Sequence, residues 1–274
     1  MKVIISHDID HWRWRDHLVR DLFLPKHVAR TLYYGATGAI PAAAFAKRFE
    51  WLWRNQQHNL DRLVAFNAAH SIPATYFVGV ANGLGLSYSL ETAGELVRWL
   101  RDRGCTHVGV HGIAFDDPDE IRRERERFAE IVGNDEFGIR MHYRRTSPRT
   151  LDLLGEAGYA FDSTTAELRA PYRIGKLVEF PISAMDVHIM SLGRNTPDKA
   201  RKATIARFER ALQLGTGYFT VVFHDCYYSD AFPDHGSWYE WLVSWLVGEG
   251  VEFSTFESAL RSLSPSLPAA PSID

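Results

Sequence analysis

The residues best suited to chemistry come at the very start of the chain. The short apolar run Lys2-Val3-Ile4-Ile5-Ser6 ends in His7-Asp8-Ile9-Asp10-His11. In an extended strand successive side chains alternate faces, so Ser6, Asp8 and Asp10 share one side while His7 and Ile9 share the other. Two carboxylates at one strand end can divide two tasks, one holding a hard or borderline cation and the other taking a proton from water. An Asp after a first strand also serves as a helix cap or turn former, so the pair gains weight only from what joins it.

Three later segments end in the same manner. Thr106-His107-Val108-Gly109-Val110-His111-Gly112 delivers His111, whose neutral imidazole suits Zn²⁺, Fe²⁺ or Co²⁺. His107 shares its face but lies about 13 Å back along an extended strand, too far to bind the same ion, and is expected to be packed or hydrogen-bonded. Gly138-Ile139-Arg140-Met141-His142-Tyr143 puts Arg140 and His142 on one face, a carboxylate partner beside a further ligand, and Val221-Val222-Phe223-His224-Asp225 delivers His224. One histidine at a strand end is more often structural than catalytic. Their joint occurrence is what points to a site.

The elements that must position these groups follow from apolar patterning. Strand-type runs at 2–6, 74–80, 106–111, 138–143, 177–182, 218–224 and 251–255 alternate with helical stretches at 55–70, 90–103, 118–132, 148–157, 198–214, 238–248 and 257–263. Such alternation predicts βαβ units and a mostly parallel sheet, which over seven or eight repeats closes most economically into a barrel. Ser89 reads as a hydroxyl N-cap, and Thr196-Pro197 and Ser147-Pro148 as caps followed by a first-turn proline. The Trp-, Arg- and Tyr-rich stretch at 12–53 fits no repeat and is expected to pack over the barrel mouth as a helical insertion. The Ser- and Pro-rich 263–274 reads as a disordered tail.

A chain of 274 residues with 46% apolar content can bury one sizeable α/β core, here residues 1–262, and no linker composition divides it. A net charge of −3 with no basic block argues against nucleic acid as the main partner and against a polyanionic substrate. No stretch of about 18 apolar residues suggests a membrane span and no signal-peptide pattern opens the chain, so the expected location is cytoplasmic. Cys105 and Cys226 are too few and too far apart for a disulfide framework or a zinc finger and are read as reduced and structural.

In order, Ser-His-Asp-Ile-Asp, Val-Gly-Val-His-Gly, Arg-Met-His-Tyr-Arg, Gly-Tyr-Ala-Phe-Asp-Ser-Thr, Leu-Val-Glu-Phe-Pro-Ile-Ser-Ala-Met-Asp-Val and Val-Val-Phe-His-Asp resemble the polysaccharide deacetylase (NodB-homology, carbohydrate esterase 4-like) superfamily. Within it, the chain looks most like the branch that opens with His-Asp-Val-Asp. The resemblance spans about residues 1–262. It implies a distorted (β/α) barrel of about seven strands, a divalent metal held by an Asp and two His, and hydrolysis of an N-acetyl or related acyl group on a sugar. Matched residue by residue, Asp8 takes the place of the base, Asp10 of the metal-binding acid, His111 of the first metal histidine, Arg140 of the arginine that orients the base, and His224 of the acid. The metal so implied is Zn²⁺ first, with Co²⁺, Ni²⁺ or Fe²⁺ as alternatives.

Two departures stand out. The usual second metal histidine falls four residues after the first, where this chain has Phe115 followed by Asp116 and Asp117. Catalytic zinc normally keeps three protein ligands, so His142 is the expected replacement and Asp116 the next candidate. His107 stands where an acidic residue is common, which leaves the support of His111 open. Trp12, Trp14, Tyr143, Tyr227, Tyr228 and Trp238 are candidate stacking faces for a sugar. Two other functions fit the same residues: a metal-dependent hydrolase of a non-sugar amide, and a carbohydrate-binding pseudoenzyme.

Overall fold

The computed structural model describes residues 1–13, 22–54, 60–86, 89–190 and 196–263. Trp14, the start of the helix expected at 55–70, and all of the expected tail beyond Leu263 lie outside them. Along the chain, β1 (Lys2–Ile9) is followed by α1 (Phe23–Ala36) and α2 (Ala42–Arg54), which occupy the non-repeating stretch, and by α3 (Leu60–Ala69). Repeating units then follow: β2 (Thr75–Val78), α4 (Leu90–Arg101), β3 (Val108–Gly112), α5 (Pro118–Val132), β4 (Ile139–Met141), α6 (Thr150–Ala157) and β5 (Phe161–Asp162). The chain finishes with β6 (Tyr172–Ile174), β7 (Leu177–Glu179), β8 (Ile182–Met185), α7 (Asp186–Ile189), α8 (Pro197–Leu214), β9 (Tyr218–Val222), α9 (Pro233–Gly248), β10 (Glu252–Ser254) and α10 (Phe256–Ser262).

Among the described residues the strands form one ten-stranded sheet in the order β6-β7-β5-β4-β3-β2-β1-β9-β8, with β10 also on β1. Every pairing is parallel except β6 with β7. The run expected at 177–182 is divided: β7 pairs with β5, and after Phe180-Pro181 the chain continues as β8, which pairs with β9. Proline has no N–H for a ladder, so the strand can change neighbours there. This crossover carries the sheet from its β5 side to its β9 side and gives the curled, distorted (β/α) barrel.

Alternation along the strands sorts side chains into two cores. Val3, Ile5 and Ile9 of β1, Tyr76 and Val78 of β2, Val108 and Val110 of β3, and Ile139 and Met141 of β4 pack outward against the helices. The inward positions fill the barrel floor with Ile4, Phe77, Phe161, Val178 and Phe180, closed by Phe256 from α10. Room for these rings comes from glycine: a Cβ at Gly109 would sit 2.7 Å from Phe77, and one at Gly138 would sit 2.3 Å from Phe161. Above the floor the same inward rows turn polar, through Ser6 and Asp8 of β1, His111 of β3 and Arg140 of β4, all buried.

Local caps match the sequence at several ends. Ser89 accepts from the Thr92 N–H to start α4, Asp117 caps α5 ahead of Pro118, and Thr196 caps α8 ahead of Pro197. At α6 the helix starts two residues later than expected, after Arg149, and Ser147 makes no helix cap. Among the described residues no helix is long and apolar enough to cross a membrane.

Candidate active site

The mouth of the barrel holds two linked groups of side chains. The first is a trio of donor atoms, Asp10 Oδ1, His111 Nε2 and His142 Nδ1. The two nitrogens lie 2.9 Å apart, and the carboxylate oxygen lies 3.2 Å from His111 and 3.3 Å from His142. His111 Nδ1–H donates to the Arg140 carbonyl at 3.0 Å, and His142 Nε2–H donates to the Leu84 carbonyl at 3.1 Å. A carbonyl can only accept, so these bonds fix both tautomers and leave the two facing nitrogens as lone pairs.

Three lone pairs then converge on one point, and Asp10 Oδ1 is buried with no hydrogen bond. Left to themselves such atoms repel, and a cation between them removes the conflict. Donors about 2.0–2.1 Å from a tetrahedral zinc ion sit about 3.3 Å apart, close to the spacing found here. The donor set therefore fits a divalent metal, which Asp10, His111 and His142 would hold. Burial pushes the Asp10 carboxyl up, but when the two imidazoles carry a proton in place of a cation, hydrogen bonds and charge from His111 and His142 outweigh burial and hold the group well below the usual carboxylate range.

His142 reaches this point by a route that strand periodicity does not give. β4 ends at Met141, and His142 starts a tight turn in which Tyr143 and Arg144 have φ of 55° and 51°. Phe115, at the spacing where the resembled family usually has its second metal histidine, packs against the outer core and under the Arg145 guanidinium at 4.1 Å, while its carbonyl is held by Thr150. Asp116 is exposed and takes no part in the trio. The loop between them is anchored by Glu124 of α5, which accepts from the N–H groups of Ile113 and Ala114. His107 lies at the far end of the strand, 3.1 Å from Glu257; support for His111 comes from a main-chain carbonyl instead.

The second group surrounds Asp8. Arg140 Nη1 donates to Asp8 Oδ1 at 2.9 Å and to Ser6 Oγ at 2.8 Å, while its Nε and Nη2 donate to the carbonyl and hydroxyl of Ser163. The guanidinium also lies 4.3 Å above the Phe77 ring, so it is fixed from every side. Burial raises the Asp8 pKa, yet Arg140, His111 and His224 outweigh it and lower the group, which is ionised at neutral pH.

On the other flank His224 Nε2 lies 3.8 Å from Asp8 Oδ2. Its Nδ1–H and its backbone N–H both donate to Asp186, at 2.8 and 2.6 Å. Burial works against a charged ring, but the carboxylates of Asp186, Asp8 and Asp10 prevail and raise His224 to about 10. The position of His224 also depends on the outward face of β1. His7, kept neutral by burial with its pKa pushed down to about 4, donates from Nδ1 to the Phe223 carbonyl and accepts from Asn67.

Asp186, Ser6 and Ser163 were not picked out as site residues from sequence. Asp186 follows β8 directly, and that strand-end position is the signal it offered. Of the candidate stacking faces, Trp238 is fully buried and donates to Thr204, and Tyr228 is buried and bonded to Glu240. Trp12 packs against Trp99. Tyr143 and Tyr227 line the cavity over the site, which measures about 400 Å³.

No family model matches the sequence, and no curated protein matches it. Solved structures do. A structure from Mycobacterium smegmatis designated a polysaccharide deacetylase is 19% identical over 99% of this chain and 94% of its own, with a TM-score of 0.64. One from Pseudomonas aeruginosa PAO1, likewise designated a polysaccharide deacetylase, is 14% identical over 95% of this chain and 89% of its own, at 0.56. A mutant of a CE4 family pseudoenzyme with restored enzymatic activity is 11% identical over 94% of this chain and 67% of its own, at 0.50. At these identities the likeness is one of fold, and the fold is the polysaccharide deacetylase (β/α) barrel.

Proposed function

We propose that the chain is a metal-dependent hydrolase that removes an N-acetyl or related acyl group from a sugar or polysaccharide precursor. The observation that carries this reading is the meeting, in one cavity, of a three-donor metal set with an ionised carboxylate and a protonated imidazole on either flank. Asp10, His111 and His142 hold the ion, with Zn²⁺ the first choice for a site of one oxygen and two nitrogens. When bound, it polarises the acyl carbonyl and lowers the pKa of water.

The remaining work falls to side chains. Asp8 is held ionised and aimed by Arg140, which leaves Oδ2 free on the cavity side to accept a proton from attacking water. His224 carries the proton that the departing amine needs, because Asp186 fixes its Nδ1–H and leaves Nε2–H directed at the reacting centre. The part of Arg140 is to orient Asp8 through a charge-assisted hydrogen bond. Tyr143 and Tyr227 offer ring faces at the cavity wall against which a sugar can stack.

Acetate release from N-acetylated oligosaccharides by protein loaded in turn with Zn²⁺, Co²⁺ and Ni²⁺ tests the reading. Metal-dependent release that stops on chelation and returns on reloading supports it. Stoichiometric metal with hydrolysis only of non-sugar amides would move the substrate class, and metal with no hydrolysis of any amide would leave a binding protein.

A further inference from the structure

The non-repeating segment also lines this cavity. It brings Arg30 of α1 and Arg48 of α2 to the same space as Asp8 and Asp10. Arg48 is buried, 4% exposed, with Nε donating to Thr31 Oγ1 at 2.9 Å and its guanidinium 4.7 Å over the Phe232 ring. Among the described residues, the ionisable groups that act most on it are Tyr34, Cys226, Arg30 and Tyr227, none of them a carboxylate. Arg30 is exposed toward the cavity and close enough to Arg48 for the two charges to oppose each other. His27, on the same wall, is pushed down to about 4 by burial and then by these two guanidiniums, so it stays neutral and adds no competing charge.

A buried guanidinium with a like charge beside it and no carboxylate is costly unless an anion completes it. The acids that line the cavity, Asp8 and Asp10, are already committed to Arg140 and to the two histidines. Arg144 also lines the cavity, presented by the turn in which two non-glycine residues adopt left-handed φ, a strain that accumulates at functional sites. Three arginines, Arg30, Arg48 and Arg144, thus line the cavity in which the acyl group is to be cut.

We infer that Arg30 and Arg48 form a receptor for an oxyanion, carboxylate or phosphate, carried by the substrate itself. The planar guanidinium fork matches either group in a bidentate manner. A cavity of about 400 Å³ falls within the usual range for small-molecule sites. The inference rests on the proposed deacylation and narrows its substrate to an acidic acylated amino sugar, in place of a neutral one. A single anionic group suffices, which agrees with the absence of a basic block suited to a polyanion.

Calorimetric titration of the zinc-loaded protein with N-acetylglucosamine, N-acetylglucosamine 1-phosphate and N-acetylmuramic acid tests it. At least one acidic probe should bind tenfold or more tightly than the neutral sugar at low salt, with the preference shrinking as salt rises. The tighter of the two acidic probes identifies phosphate or carboxylate. Arg30→Gln, at an exposed position, should cut the preference at least fivefold without altering the neutral sugar, and Arg48→Lys should do likewise while keeping the charge that its packing tolerates. Equal binding of all three probes overturns the inference. A preference that survives both substitutions also overturns it, since the metal would then be holding the anion. Because binding is read without turnover, a failure of the acetate assay would sink the proposed reaction while leaving the anion receptor measurable.

Discussion

The floor and the mouth of the barrel are built on the same strands and the same inward face, yet they follow different rules. At the floor, Ile4, Phe77, Phe161, Val178, Phe180 and Phe256 fill a volume that Gly109 and Gly138 leave free. One step up, Ser6, Asp8, His111 and Arg140 replace them, with Ser6 Oγ, Asp8 Oδ1, His111 Nδ1 and the Arg140 guanidinium each hydrogen-bonded and Asp8 Oδ2 and His111 Nε2 left for the chemistry. Apolar contact is non-directional and tolerates exchange of shape for shape, whereas a buried polar layer must be satisfied bond by bond. The floor supplies stability to a mouth that spends it.

The sharpest break between the two layers should come from Asp8→Asn. It keeps the shape and the bond from Arg140, so the protein should stay folded and keep its metal on elemental analysis. It should nonetheless lose about a hundred- to ten-thousand-fold in acetate release, the usual contribution of a general base. Retention of near-full turnover would remove Asp8 from the reaction. His142→Ala should empty the metal set, and adding Phe115→His to that variant should not refill it, because residue 115 is held against the outer core under Arg145. Restored metal content in the double variant would show that the loop can supply the ligand after all.

These positions also show what the sequence could reveal. Asp8, Asp10, His111 and His224 stand out because each ends an apolar strand, and strand parity alone sends Asp8 inward and His7 outward. His142 was legible as a residue but not as a geometry: its ring arrives from a left-handed turn, where two-residue periodicity no longer applies. β5 is two residues long and β6 three, too short for alternation to register, and Pro181 divides a run that reads as one strand. Asp186 was hidden for a different reason. A carboxylate whose task is to hold another side chain looks in sequence like any helix-starting Asp, and only its 2.8 Å approach to His224 separates the two.

Arg140→Met and Phe161→Ala place lesions of similar size in the two layers. Removing the guanidinium leaves Asp8 buried without its partner, which typically costs about 3–5 kcal/mol. Emptying the Phe161 position costs about 3–5 kcal/mol through lost burial and a cavity. Denaturant unfolding should therefore show comparable losses, while activity should separate them. Where both proteins are folded, Phe161→Ala should turn over nearly normally and Arg140→Met should not. If Phe161→Ala were as inactive as Arg140→Met, the floor would have to be counted as part of the site. Adding Asp8→Asn to Arg140→Met should recover stability, since a neutral amide is cheaper to bury than an unpaired carboxylate.

The smallest effect concerns Glu124, the buried anchor of the loop after β3. Burial raises its pKa from 4.5 to about 7, even though the N–H groups of Ala114 and Ile113 favour the ionised form. A group raised in the folded state stabilises fully below its unfolded pKa, and that contribution is lost as pH climbs through the folded value. Stability should thus decline between about pH 4.5 and 7, by on the order of 3 kcal/mol at most. Glu124→Gln mimics the protonated form and should flatten that part of the profile in melting experiments. An unchanged slope would assign the pH dependence elsewhere.

The two histidines of the proposed metal set are each oriented by a main-chain oxygen, from Arg140 in one case and Leu84 in the other. A carbonyl is the same whichever residue carries it. The outer anchors of the site can therefore be inherited through backbone path alone, and the residues that provide them are free to drift in identity as long as the loop from Gly83 to Leu86 and the end of β4 keep their course. Arg140 shows the separation within a single residue, since its side chain aims the base while its backbone sets the tautomer of a ligand. Substituting that side chain should disable one function and leave the other in place.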